Sequence, residues 1–472
     1  MLPRTPFGRW FLLALALGAA AGAPACSEDL RVDLGAFCLE RPDDVDCPRK
    51  GAAGALAGSA GRSDVAGMGG AGASTGGAGA GGAGTGGSAL SCTLPEVACN
   101  GACAFVPGDP RNCGECGYVC EGGAACTGGA CAAAEVVSNV VAPYALALDT
   151  TSLYFSTPVK LDAGSSTLPS AVRKVPRAGG SAPTAVFPAT FLRSRTLVLR
   201  ENTLFFADLD GGGHVVQGLT DGRALPQNHV NEAQPGVLHL VAADGQIWWS
   251  SFAGTSHVRR APAAPTPAPA PTNVTPATPQ AGQAISLAVE GAGQQAVAYW
   301  VNRGAGTAQQ DTGLWRRQIS ALGPERLAIG GAPLDLALVT DGIYVADANA
   351  GIRKAQKTGT NQTLTPVISP ANLGGALQGF AVASGKLYWL SFENGQLALH
   401  RSALDGSAQR VLGRALVKSS SYWANPIGPS RLLVDGGFVY FSDPGTVTGD
   451  TQNGSLEGVI GKDDGVIYRL PQ

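Results

Sequence analysis

An all-β fold, seven four-stranded units closed into a propeller, is predicted by three observations. After residue 134 an aromatic-rich quartet recurs seven times, at intervals of about 43 to 52 residues. The hydrophobic period through these units is close to 2, and helical patterning is nearly absent. Each quartet follows a short apolar strand across a turn of Asp, Gly or Asn, which reads as a β-hairpin. Seven is the count of units; rings of six or eight blades are the alternatives.

Three shorter regions precede the ring. Arg4 and Arg9 with the apolar stretch Trp10 to Ala21 form a secretory signal over 1–25, too short for a membrane span. Ala23-Pro24-Ala25 before Cys26 fits a small-residue cleavage site and gives a freely secreted chain. The same residues resemble the lipobox of bacterial lipoproteins, with Ala23 where Leu is usual and Pro24 a second departure. That resemblance implies lipidation of Cys26, and Ser27 after it implies the outer membrane. Cysteine parity agrees: without Cys26, ten of the 11 cysteines remain, split into Cys38/Cys47 over 26–47 and a block of eight. Several acyl chains anchor stably where one binds marginally.

Residues 48–91 are Gly/Ala-rich, bury almost nothing and read as a flexible tether with an r.m.s. span of roughly 33–40 Å. Matches inside it to the nucleophile elbow (Gly72 to Gly76) and to the dinucleotide fingerprint (Gly77, Gly79, Gly82) lack the strand–turn–helix setting those chemistries need. No cofactor is implied. Residues 92–131 then hold Cys92, Cys99, Cys103, Cys113, Cys116, Cys120, Cys126 and Cys131. So small a segment with few large apolar side chains cannot fold on its core alone, and in an oxidising compartment disulfides substitute. Spacing does not select among the 105 connectivities eight cysteines allow. Zinc at Cys113, Cys116 and Cys120 is an alternative, and a redox-active Cys113/Cys116 pair a rarer one. The run Cys99-Asn100-Gly101-Ala102-Cys103, the stretch Asp109 to Gly117, then Cys120, Cys126 and Cys131 resemble the cysteine-rich domain of plant stigma-specific proteins. That family carries over no catalytic residue.

Within 134–472 the quartets are Tyr154 to Thr157, Phe205 to Asp208, Trp248 to Ser251, Tyr299 to Asn302, Tyr344 to Asp347, Tyr388 to Ser391 and Tyr440 to Asp443. A third strand follows with basic residues in register, as in Val172-Arg173-Lys174, Val258-Arg259-Arg260, Ile352-Arg353-Lys354, Leu399-His400-Arg401 and Ile467-Tyr468-Arg469. These basic residues are read as sheet-pairing or solvated positions. The quartets, with the turn Leu404-Asp405-Gly406-Ser407, resemble YWTD and NHL-type β-propellers, although YWTD rings have six blades. The last unit stops after its third strand, and Glu135 to Val141 can supply the missing fourth, removing an open edge.

Loops 157–171, 303–313 and 443–465 are long and share the face that carries the blade connections. The first and last belong to adjacent blades and are expected to form one lip of the central channel. Lys160, Asp162, Asp450, Asp463 and Asp464 are the ligand-binding candidates there. The Pro-rich run 261–279 is expected as an extended surface excursion and not a core strand. Asp208-Leu209-Asp210-Gly211 begins a calcium-loop pattern without completing it. His214, His229, His239 and His257 lack metal-ligand spacing, so packing or surface roles are expected and no metal is assigned.

The chain has 33 Lys+Arg against 35 Asp+Glu, a net charge of -2, and 14% charged residues where about 25% is usual. With no basic cluster, nucleic acid and anionic lipid are excluded as electrostatic partners. The order anchor, tether, staple and ring predicts a monomeric lipoprotein at the cell surface or outer membrane, or else a secreted protein, that binds a protein or glycan. No catalytic set is visible; an exported lyase or glycan hydrolase, or a structural envelope component, are the alternatives.

Overall fold

The computed structural model describes residues 91–157, 160–161, 172–187, 194–208, 213–234, 236–251, 258–264, 266–275, 282–304, 312–417, 431–448 and 460–472. Residues 1–90, which hold the expected signal sequence, Cys26, Cys38, Cys47 and nearly all of the expected tether, lie outside them. Helical content among the described residues is confined to three-residue 3-10 turns such as Pro370–Asn372.

The described residues form a seven-bladed propeller. Strands are numbered 1 to 4 from the channel outward. Blade 1 comprises Leu146–Leu148, Ser152–Ser156, Val172–Pro176 and Thr184–Ala185; blade 2, Leu197–Arg200, Thr203–Ala207, Val215–Leu219 and Gln227–Asn228. Blade 3 comprises Val237–Ala243, Gln246–Ser251, Val258–Pro262 and Thr272–Asn273; blade 4, Gly282–Glu290, Val297–Gly304, Gly313–Gln318 and Glu325–Ile329. Blade 5 comprises Pro333–Val339, Gly342–Asp347, Gly351–Ala355 and Thr365–Ile368; blade 6, Ala376–Ala383, Lys386–Glu393, Gln396–Ala403 and Arg410–Leu416. Blade 7 takes strands 1 to 3 from Leu432–Asp435, Phe438–Asp443 and Gly465–Pro471, and strand 4 from Ala134–Val140, with Ile467 opposite Val137. The innermost strands touch in order round the ring, blade 7 against blade 1 included.

The quartets occupy strand 2, and the reason they read aromatic–aromatic is that each blade is sandwiched between two others. A strand buried on both faces needs apolar groups at successive positions, where a half-exposed strand would alternate. Trp248 and Trp249, Tyr299 and Trp300, and Tyr388 and Trp389 are all nearly inaccessible. Each such side chain stabilises the ring by roughly 1.5–3 kcal/mol through the area it removes from water.

The first aromatic of every quartet faces one fixed position on strand 3. Tyr154 pairs with Lys174, Phe205 with Gln217, Trp248 with Arg260, Tyr299 with Arg316, Tyr344 with Lys354, Tyr388 with Arg401 and Tyr440 with Arg469. The basic residues are therefore cross-strand partners: the Arg260 guanidinium lies 4.9 Å from the Trp248 ring centre and the Lys354 ammonium 5.4 Å from that of Tyr344.

The Pro-rich run corrects the expectation of a surface excursion. Thr272–Asn273 is strand 4 of blade 3, paired to Arg259 and Arg260, and Ala261, Ala263 and Ala268 are buried in the core shared by blades 2 and 3. An edge strand loses no ladder bond to a proline whose nitrogen faces outward, so prolines on both sides of it are tolerated.

The cysteine-rich module is closed by four disulfides, Cys92–Cys103, Cys99–Cys116, Cys113–Cys126 and Cys120–Cys131. Cys113 and Cys116 join different partners, and none of the eight keeps a thiolate for zinc or redox exchange. The module is part of the ring. Its strand Ala130–Ala132 runs parallel to strand 4 of blade 6, with Cys131 opposite Gly413 and Ala132 opposite Arg414. A Cβ at Gly413 would fall 2.5 Å from the Cys131 carbonyl oxygen, so only glycine allows this approach. Cys113, Tyr118, Cys120 and Cys131 share one core with Leu399, Leu412 and Leu470.

Candidate functional site

The residue closing each quartet marks the end of the ring where the long loops emerge. Thr157, Asp208, Ser251, Asn302, Asp347, Ser391 and Asp443 are polar and buried. Asp347 shows why the position is polar: its carboxylate accepts from the Ala332, Asn349 and Ala350 amides, each at 2.9 Å, and from Arg353 Nη2 at 2.7 Å. Asp443 accepts from the Gly445 amide at 2.9 Å, and Thr157 Oγ1 donates to the Val141 carbonyl at 3.2 Å. Asp347, Asp443 and Thr157 thus fasten the chain at the mouth to the blades beneath.

Over blades 1 and 7 the loops build a sheet of their own. Lys160–Leu161 runs parallel to Ile460–Gly461, which pairs antiparallel with Val447–Thr448. Residues 300 apart meet here because the ring is closed. The Asp464 carboxylate accepts from the Thr446 amide at 2.7 Å and the Thr446 hydroxyl at 2.6 Å, pinning the lip to the start of the last strand. Asp463 is half-buried beside it, and Lys160 lies in the lip's parallel strand. Asp162 and Asp450 fall outside the described residues, as do His257 and residues 209–212 of the calcium-like stretch.

The channel wall carries a second set of polar groups. At the start of strand 1, Thr196, His239, Ser286, Asp335 and Arg431 occupy equivalent places in blades 2, 3, 4, 5 and 7. Their bonds run from blade to blade. Thr196 Oγ1 accepts from the Leu240 amide and His239 Nδ1 from the Leu287 amide, each at 3.0 Å, while Ser286 Oγ donates to Asp335 Oδ1 at 2.7 Å. Arg431 donates to Gln378 Oε1 at 2.9 Å, with its guanidinium carbon 5.8 Å from the Tyr144 ring centre. Burial pushes His239 down to about 4, so its ring stays neutral with the proton on Nε2. Burial likewise pushes Asp335 up to about 7, against the Ser286 and Leu336 hydrogen bonds that pull it down. Sequence reasoning assigned His239 only a packing or surface role and passed over the other four. The signal available was a polar residue just ahead of the apolar start of strand 1, but its type changes from blade to blade.

Among the described residues one cluster has the composition of a hydrolytic triad, Ser391, His400 and Glu393. Its geometry is different. Ser391 Oγ at 2.7 Å and Glu393 Oε1 at 2.9 Å both contact His400 Nε2, whereas a triad base uses one nitrogen for the nucleophile and the other for the carboxylate. Ser391 is inaccessible, and the His400 ring lies flat on Trp389 at 5.0 Å. His400 takes the strand 3 position that Arg353 takes in blade 5 and Arg259 in blade 3, where each arginine also meets an acid. The cluster is blade 6's version of a repeated loop fastening.

Residues 83–134 match the family model of the Stigma-specific STIG1-like protein family, which spans the cysteine-rich module. No curated protein matches the chain. Among solved structures it is similar to the computationally designed Ika8 protein, at 11% identity and TM-score 0.42, over 72% of this chain and 99% of that one. It is also similar to YCF48 bound to a D1 peptide, at 10% identity and TM-score 0.45, over 72% of this chain and 94% of that one. A nidogen/laminin complex is similar at 10% identity and TM-score 0.36, over 61% of this chain and 97% of that chain.

Proposed function

We propose that the protein is a cell-surface lipoprotein, anchored through Cys26 and held off the membrane by its Gly/Ala-rich tether, whose propeller binds a protein or glycan at the channel mouth. The observation that carries this reading is the lip. Three strands from the loops of blades 1 and 7 form a sheet that no blade needs for its own pairing, held in place by Asp464. A rigid ring that spends residues on an ordered projection at its mouth has the form of a binding scaffold. Among the described residues, the triad-like cluster of blade 6 is read as a loop fastening.

The test compares the mature chain with a variant whose 157–171 and 443–465 loops are cut to tight turns. Both are run on a glycan array and in crosslinking to the cell envelope, and intact mass of membrane-extracted protein reports the anchor. Ligands held by the parent and lost by the variant are expected, with a mass that begins at Cys26 plus acyl chains. Equal binding by both forms would remove the lip from the function.

A further inference from the structure

Five of the seven seams between blades share a device, and the seam between blades 6 and 7 builds it differently. The side chain at the strand 2/strand 3 aromatic pair reaches across to the turn between strands 3 and 4 of the next blade. Lys174 Nζ in blade 1 donates to the Thr220 carbonyl of blade 2 at 3.0 Å, and Gln217 in blade 2 donates to the Thr266 hydroxyl of blade 3. Arg316 in blade 4 donates to the Lys357 carbonyl of blade 5 at 2.7 Å, and the Tyr344 hydroxyl in blade 5 to the Leu404 carbonyl of blade 6 at 2.8 Å. Arg469 in blade 7 donates to the Arg177 carbonyl of blade 1.

Between blades 6 and 7 that turn does not exist, because strands 3 and 4 of blade 7 come from opposite ends of the ring. The cysteine-rich module fills the place. Arg401 of blade 6 donates to Glu115 at 3.0 Å, and Arg410 meets the other oxygen of the same carboxylate at 2.9 Å. Tyr118 lies under the Arg410 guanidinium, 4.1 Å from it, and its hydroxyl donates to the Pro471 carbonyl of blade 7 at 3.1 Å. Glu121 pairs with Arg469 of blade 7. Cys120–Cys131 then ties this segment to the strand on blade 6, and that strand continues through Ala133 into strand 4 of blade 7.

We propose that the module is the clasp of the ring, standing in for the turn blade 7 lacks, and that its disulfides make closure depend on an oxidising compartment. A module with so small a core holds Glu115, Tyr118 and Glu121 in place through its cross-links. When a dithiol reduces one of the bonds, two electrons and two protons pass to the two sulfurs. Two thiols form, and the reductant becomes a cyclic disulfide. With all four bonds reduced the clasp is an unconstrained segment, and loss of Cys120–Cys131 alone already frees the segment bearing Glu121 from the strand on blade 6, so the 6–7 seam loses its bridge. This inference stands apart from what the lip binds.

The experiment is hydrogen exchange by mass spectrometry on the full chain, oxidised and after treatment with dithiothreitol. A Cys120→Ser/Cys131→Ser variant, purified without reductant, provides a second route to the open clasp. Amides of 410–416, 465–471 and 134–140 are expected to exchange at least tenfold faster when the clasp is open, whether or not the loss spreads to other blades. A Glu115→Gln/Glu121→Gln variant with every disulfide intact should accelerate the same peptides by a smaller factor. Faster exchange confined to 92–131, or unchanged protection at 465–471 in the reduced chain and both variants, would overturn the proposal.

Discussion

Asp335 gives the ring a pH dependence that one substitution should remove. Its carboxyl lies in the channel wall, 7% exposed, accepting from Ser286 Oγ and the Leu336 amide, each at 2.7 Å. Burial pushes it from the ordinary 3.8 up to about 7. A folded-state value above the unfolded one means the native ring holds the proton more tightly, so stability falls as pH rises from about 4 through about 7. Three pK units correspond to about 4 kcal/mol, fully lost once the carboxyl is ionised near pH 8. Asp335→Asn keeps an oxygen for both donors and cannot ionise. The variant should therefore match the wild type near pH 4 and exceed it near pH 8 by an amount of that order. At roughly 2 °C per kcal/mol for a large domain, this is a gap in melting temperature of several degrees. The assay is a pair of melting curves from pH 4 to 8.5 at constant ionic strength. Subtracting variant from wild type removes the pH dependence common to both. A difference that does not change with pH, or a variant less stable at pH 8, would refute the assignment.

His239 should act in the opposite direction. With its value lowered by burial to about 4, its contribution is present above about 6.5 and lost as pH falls through 4; His239→Gln should flatten the acid limb of the same curves. Gly406 sits at φ +82 with its Cβ position 2.2 Å from the Val367 carbonyl oxygen, so Gly406→Ala should cost more than about 1 kcal/mol in denaturant melts. Gly385, at φ +68 with nothing within 4 Å, is the control whose alanine variant should cost less. Ser391 should resist a fluorophosphonate probe at neutral pH, and labelling detected by mass spectrometry would restore a nucleophilic role.

The number of units and their strand order are written in local pattern, and the closing partner of the last strand was legible because one unit lacks a strand and one strand ahead of the first unit is spare. Hairpins join neighbours in the chain, and an aromatic pair on strand 2 reports burial on both faces wherever it occurs. The cross-strand basic residues were legible for the same reason, since their register follows from the turn between strands 2 and 3. Other contacts between segments far apart in the chain were not. Glu115 and Arg401 are 286 residues apart, and alternation tells which face of a strand is buried without telling which blade lies against it. The docking of the module on blade 6 and the polar stitching of the channel are of that kind. The disulfide pairing and the strand inside the Pro-rich run are local, yet spacing does not select among cysteine connectivities and prolines mask the pattern of an edge strand. Sequence pattern by itself determined the blades, and only the tertiary structure decided how the seam between the sixth and seventh is held, because the residues that hold it meet only when both ends of the ring come together.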